Sequence, residues 1–165
     1  MKSTGTSELA RLLIAMRGNG LGELRQGPHS LRTVATVAGV DYVDDSRSTF
    51  LDATLLSIID LGMPLVWVAD ASMVDALDQR MMDFMREHVD GLVFFGKADD
   101  AQVDALNAEL GHVYNTDDLR TAVFAARELA VPGGKVLFSP ACPSGNGTAN
   151  HEERAAEFKR AVTDL

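Results

Sequence analysis

The chain has 165 residues, 46% of them hydrophobic, and a formal net charge of −9, so we expect a single cytoplasmic globular domain. Its negative charge argues against nucleic-acid partners, which are bound by clustered Lys and Arg side chains. No apolar run approaches the roughly 20 residues that cross a bilayer, residues 1–11 lack the apolar stretch of a signal peptide, and one cysteine cannot form an internal disulfide.

The first predicted elements are a short lead-in helix and a β-hairpin. Apolar residues at helical spacing follow a possible cap at Ser7 and extend to about Met16, and glycines from Gly18 onward end the helix. Over residues 31–43 apolar and polar residues alternate, and the alternation breaks at Ala38-Gly39. This pattern predicts two antiparallel strands joined by a tight turn.

From residue 50 onward, amphipathic helices alternate with short apolar strands. Helices are predicted over residues 50–61, 72–88, 99–110, 116–129 and 152–165. Strands are predicted over residues 65–68, 91–95, 113–114 and 135–138. Asn150 and Glu153 can form a capping box for the last helix. The alternation predicts an α/β fold with a mainly parallel sheet, an antiparallel N-terminal hairpin and helices on both faces.

Three loops follow predicted strands, and ligands of open parallel sheets bind outside the carboxyl ends of strands. In residues 44–49, Arg47 with neighbouring hydroxyls and helix-start amides could bind a carboxylate or phosphate. The alternative is that its Asp, Ser and Thr side chains only cap the next helix. Residues 69–72 could likewise be a strand end and a cap. Residues 139–148 form a long polar loop that is either functional or a mere connection.

The sequence predicts no catalytic or metal-binding residues. Cys142 has no local histidine signature and is interpreted as a packed or idle thiol. The four histidines are too scattered for a metal motif. Gly133-Gly134 precedes a strand instead of following one, so it indicates a turn and not a phosphate-binding loop.

Four short segments stand out when the chain is read in order. They are Gly27-Pro28-His29, residues 39–49 (GVDYVDDSRST), residues 139–144 (SPACPS) and residues 150–154 (NHEER). In this order they resemble signatures in the third domain of the Mur ligases, which include Pro-His-Arg, Asp-Ser-Lys-Ala-Thr-Asn and Ser-Pro-Ala-Cys-Ala-Ser. The resemblance is closest to the ligase that adds D-glutamate to a peptidoglycan precursor, and it covers nearly the whole chain.

The resemblance implies a six-stranded Rossmann-like sheet in residues 27–165, preceded by a lead-in helix and linker in residues 1–26. It implies that this domain closes over ATP and a uridine nucleotide held by two other domains, which this chain does not contain. No segment resembles the phosphate-binding GxxxxGK[ST] motif. We therefore expect the chain to be inactive alone and to have no cofactor of its own, with ATP and magnesium involved only when the other domains are joined to it.

The resemblance also assigns roles to individual residues. His29 and Asp45 match residues that approach the nucleotide. Arg47, Thr49 and Ser144 match the pocket that binds the carboxylate of D-glutamate, with Arg47 in place of a lysine, which changes the donor geometry. We expect these three side chains to converge at one edge of the sheet.

Other positions depart from the family pattern. These are Ser30 in place of arginine, Phe50 in place of asparagine, residues 69–72 (ADAS) in place of Gly-Gly-x-x-Lys, and the missing aromatic residue of the last loop. Each lost charge-assisted contact costs about 1.5–3 kcal/mol, so we expect D-glutamate to bind weakly.

Three hypotheses follow from this pattern. The first is a ligase C-terminal domain that serves catalysis with partner domains. The second is a noncatalytic descendant that binds a small anion or a protein partner. The third is an unrelated small-molecule enzyme on the same fold.

Overall fold

Six strands form one sheet in the computed structural model, which describes residues 8–16, 31–142 and 150–165. They are β1 (Arg32–Val37), β2 (Val40–Asp44), β3 (Leu65–Asp70), β4 (Gly91–Phe95), β5 (Val113–Thr116) and β6 (Lys135–Phe138). Their order across the sheet is β1-β2-β6-β3-β4-β5. The β1–β2 pair is antiparallel and every other pair is parallel. The predicted α/β class with a mainly parallel sheet is therefore confirmed.

The helices cover both faces of this sheet, as predicted. They are α1 (Glu8–Met16), α2 (Leu51–Leu61), α3 (Gln79–His88), α4 (Asp100–Leu110), α5 (Leu119–Leu129) and α6 (His151–Thr163). One apolar cluster packs α1 to α4 against one face, and a second packs α5 and α6 against the other. Alternate residues of the central strands enter the two clusters because side chains in a strand point to opposite faces.

The turn between β1 and β2 has the backbone that the hairpin requires. Ala38 and Gly39 have φ values of 50° and 79°, and the favoured two-residue hairpin turn needs positive φ at both positions. Glycine adopts this conformation without steric cost. The predicted hairpin with a turn at these two residues is confirmed.

One predicted helix is two elements in the structure. Residues 72–88 were expected to form a single helix, but a 3-10 helix (Ala71–Ala76) precedes α3. Leu77 between them is extended, and the side chain of Asp78 accepts a hydrogen bond from Met81 N, which starts α3. The prediction was wrong because the apolar spacing continues through the break, whereas Leu77 ends the 3-10 helix and Asp78 caps the start of a new one.

Two other helix starts follow the same rule. The helix predicted from residue 116 begins at Leu119, because Thr116 ends β5 and Asp118 is the cap. Asn150 caps α6 as predicted, with its side chain accepting from Glu153 N at 3.0 Å.

Helix α1 is part of the domain core. Ala10 and Leu13 are buried in the cluster that contains α2 and α3. The predicted boundary between residues 26 and 27 lies outside the described residues. No helix among the described residues is long and apolar enough to cross a membrane.

Candidate functional site

The loops after β2, β3 and β6 meet at the carboxyl edge of the sheet. Strand β6 lies between β2 and β3, so the ends of the three strands are neighbours. Asp45 N donates to Phe138 O at 2.8 Å, and Asp70 N donates to Pro140 O at 3.2 Å. The predicted loops at residues 44–49 and 139–148, which contain residues matched in the resemblance, therefore start side by side.

A buried hydrogen-bond network joins these loops to the core. The Oδ2 atom of Asp45 accepts from Ser48 Oγ at 2.7 Å and from Ser139 Oγ at 3.0 Å. Ser139 Oγ is also 2.6 Å from Thr54 Oγ1. Because Ser139 has one hydroxyl proton and gives it to Asp45, Thr54 must be the donor in that bond. Trp67 Nε1 donates to Ser139 O at 2.8 Å, which fixes the start of the β6 loop.

Asp45 is buried, with only 6% of the residue exposed. Burial raises the pKa of Asp45 above its usual value, and hydrogen bonds from Ser48 and Ser139 oppose that rise. Desolvation disfavours the charged carboxylate. The side chain of Asp45 is thus buried at the carboxyl edge of the sheet and does not face solvent.

The predicted substrate-binding residues are placed only in part. Arg47 and Thr49 are half-buried and lie in the loop between β2 and α2. Ser144 and the predicted nucleotide contact His29 lie outside the described residues. The convergence of Arg47, Thr49 and Ser144 therefore stays a prediction, and the adjacent starts of the two loops support it.

The capping alternative for residues 44–49 is not what the structure shows. The residue at the N-cap of α2 is Phe50, which makes no side-chain cap bond. Asp44 instead accepts from Ser46 N at 2.9 Å, and the Ser48 hydroxyl turns inward to Asp45. In the β3 loop the cap interpretation is confirmed, because Asp70 accepts from Ser72 N at 2.8 Å.

One buried cation at this edge was not given a role from sequence. Arg154, in α6, is only 3% exposed. Its Nη1 atom lies 3.6 Å from Cys142 Sγ, and its Nε and Nη2 atoms have no hydrogen-bond partner in the described part of the chain. The sequence did carry a signal, since Arg154 precedes the buried Phe158 by one helical turn and so shares its inward face.

The thiol beside Arg154 is neutral at physiological pH. Burial and the charge of Asp70 raise the pKa of Cys142, and contacts with Arg154 and Ser72 oppose the rise less strongly. A nucleophilic cysteine requires the opposite shift. The structure therefore favours a packed thiol.

The resemblance assigns ATP and magnesium to other domains, so this chain is not expected to hold either group by itself. No group of three or more His, Cys, Asp or Glu side chains within residues 8–16, 31–142 and 150–165 could hold a metal ion. The Oδ2 atom of Asp45 already accepts from Ser48 and Ser139, so a ribose hydroxyl would share this carboxyl group with them.

Comparisons with known proteins agree with the resemblance. UDP-N-acetylmuramoylalanine–D-glutamate ligase from Geobacter sp. (strain M21) is 33% identical over 135 residues, covering 82% of this chain and 30% of the relative. The enzymes of that name from Burkholderia mallei and Burkholderia thailandensis are 34% identical over 153 residues, covering 89% of this chain and 29% of each relative. The chain thus spans about a third of the length of these relatives. No family model matches it.

A structural comparison supports the fold. A crystal structure of a domain assigned to a UDP-N-acetylmuramate:L-alanyl-gamma-D-glutamyl-meso-diaminopimelate ligase from Haemophilus ducreyi superposes with a TM-score of 0.52. The match covers 81% of this chain and 99% of that domain at 14% identity, so it bears on the fold alone.

Proposed function

The chain belongs to the Mur ligase family, in which it matches the C-terminal domain, and we propose that it is the amino-acid- and nucleotide-contacting domain of a D-glutamate-adding ligase. The observation that carries the proposal is the parallel pairing of β2 with β6, which starts both matched loops at one edge. The relatives named above act, by their names, on UDP-N-acetylmuramoylalanine and D-glutamate.

The role of the edge in such a reaction is to hold and orient the amino acid. The guanidinium of Arg47 and the hydroxyl of Thr49 can donate to a carboxylate, and the amides at the start of α2 favour negative charge. Fixing the carboxylate orients the amino group toward an acyl group held by another domain, and correct orientation lowers the entropic part of a barrier. This division of labour explains why one domain can be essential and still inactive by itself.

We expect the isolated chain to release no phosphate above background when it is given ATP, magnesium, D-glutamate and UDP-N-acetylmuramoylalanine. Phosphoryl transfer needs a positioned metal and a phosphate cradle. The described residues contain no group of three or more side chains that could hold a metal, and no segment resembles GxxxxGK[ST]. A fusion in which this chain replaces the matched 153 residues of the Burkholderia mallei ligase should restore D-glutamate-dependent phosphate release. The measurement is a coupled phosphate assay with and without D-glutamate.

Both halves of that experiment can fail separately. Turnover by the chain alone would contradict the assignment of the chemistry to other domains. A fusion that folds and holds ATP but does not turn over D-glutamate would refute the ligase role.

Replacing Arg47 with alanine should weaken D-glutamate binding by roughly ten- to a hundredfold, the equivalent of about 1.5–3 kcal/mol for a charge-assisted contact. Calorimetric titration measures this loss, and a thermal melt checks that the variant folds. Arg80→Ala is the matched control, because Arg80 is an exposed cation on α3. Equal affinity of the Arg47 variant and the wild type would show that Arg47 does not contact the ligand.

One observation favours the second hypothesis, a noncatalytic module that binds an anion or a protein. Phe50 stands where the family has asparagine, and it is 71% exposed beside the matched loop. Aromatic side chains are enriched in protein interfaces relative to the rest of the surface. The fusion assay decides between the two hypotheses, because a noncatalytic module would leave the fusion inactive.

A further inference from the structure

The side chain of Arg154 presents an unused hydrogen-bonding fork at the carboxyl edge. In a guanidinium, the N–H groups of Nε and Nη2 point the same way, which is the arrangement that binds two oxygens of one carboxylate or phosphate. These are the two nitrogens of Arg154 without a partner in the described residues. The third nitrogen, Nη1, is turned away toward Cys142 Sγ.

The surroundings do not neutralise this buried cation. Arg154 forms no ion pair within the described residues, and the one side-chain hydrogen bond that it makes there is to a thiol, which is a weak acceptor. Asp70 lies close enough to raise the pKa of Cys142, but its own Oδ1 accepts a hydrogen bond from Ser72 N. Because buried charges are almost always paired, an unpaired guanidinium points to a missing anion.

The position of Arg154 agrees with a ligand site. Its helix, α6, begins at His151 with the cap Asn150, so Arg154 lies in the first turn, where the helix dipole also favours negative charge. Cys142 follows β6 through Ala141, whose φ of 58° turns the chain sharply at the edge. Arg154 therefore lies at the strand ends where ligands of parallel sheets gather.

We propose that the Nε and Nη2 atoms of Arg154 form a recognition site for a small oxyanion, either the carboxylate of an amino acid or a phosphate-like group. The assignment of D-glutamate as the anion rests on the proposed function. The existence of the site rests only on the unpaired Nε and Nη2 atoms of Arg154. Because both nitrogens are covered, an anion bound there is shielded from water, which strengthens a charge-assisted hydrogen bond. The anion can reach these buried atoms only when the edge opens locally. We therefore expect its association rate constant to lie below the diffusion limit.

The test is a titration of the 15N-labelled chain that follows the Nε–H signal of Arg154. Acetate, inorganic phosphate and D-glutamate are added separately. We expect the signal to move saturably with at least one of the three. Arg154→Lys keeps the charge and loses the fork, so it should weaken that binding by about tenfold or more. Arg160→Lys makes the same change at an exposed position of α6 and should stay within about twofold of the wild type.

Each outcome decides something. If none of the three anions moves the Arg154 signal, the inference is overturned, and this holds even if the lysine variant fails to fold. D-glutamate binding that leaves the signal and the lysine variant unaffected also overturns it, while the proposed function stands. Movement with phosphate or acetate but not with D-glutamate supports the site and counts against D-glutamate as the ligand of this chain.

Discussion

Replacing Trp67 with alanine should lower the free energy of unfolding by about 3–5 kcal/mol, the usual cost of deleting a large buried aromatic side chain. Trp67 is fully buried in β3, and its indole lies in the apolar cluster that α1 to α4 cover. In a domain of this size the loss corresponds to a fall in Tm of roughly 6–20 °C. Urea denaturation and a thermal melt measure both quantities.

A milder variant separates the two roles of this side chain. Trp67→Phe keeps much of the apolar burial but removes the Nε1 donor from Ser139 O, and a buried acceptor left without its partner costs about 1–3 kcal/mol. We therefore expect the phenylalanine variant to lie between the wild type and the alanine variant. An alanine variant within about 1 kcal/mol of the wild type would show that β3 is not packed as described.

Local patterns predicted most of the fold because each signal is complete within a few residues. The Ala38-Gly39 turn and the cap at Asn150 are examples, since the residues that make the contact lie within three positions of each other. The break at Leu77 was missed although Asp78 is a typical cap, because the apolar spacing runs across it. The continuous helical spacing of apolar residues was therefore a poorer guide to the helix boundary than the cap residue Asp78.

The interior of the site could not be predicted in the same way. Asp45 and Ser139 are 94 positions apart, and nothing local to either shows that they bond. Polar residues after a strand suggest an exposed loop, whereas Ser48 and Asp45 face inward. The family resemblance located the loop, but only the hydrogen bonds in the structure show that the side chains of Asp45 and Ser48 already have partners.

The charge on Asp45 should make the protein less stable as the pH rises. Burial raises the pKa of this carboxyl in the folded state, so the folded chain holds the proton more tightly than the unfolded chain does. That contribution is fully present below the unfolded pKa of about 3.9 and is lost as the pH rises through the raised value. Each pKa unit of the rise is equivalent to about 1.4 kcal/mol.

Asp45→Asn removes this titration while keeping the size and an acceptor oxygen. We expect the stability of the asparagine variant relative to the wild type to increase between about pH 4 and pH 8, because only the wild type develops the buried charge. Urea denaturation at several pH values measures the difference.

Asp45→Ala serves as the comparison, because it removes the acceptor for Ser48 and Ser139. The alanine variant should be less stable than the asparagine variant at every pH by about 1–3 kcal/mol, the cost of leaving buried hydroxyls without a partner. A stability difference between the asparagine variant and the wild type that stays flat or falls with pH would mean that Asp45 is charged and stabilised by Ser48 and Ser139 in the folded chain. In that case the carboxylate would already be prepared for a polar ligand, and the ribose contact implied by the resemblance would gain support.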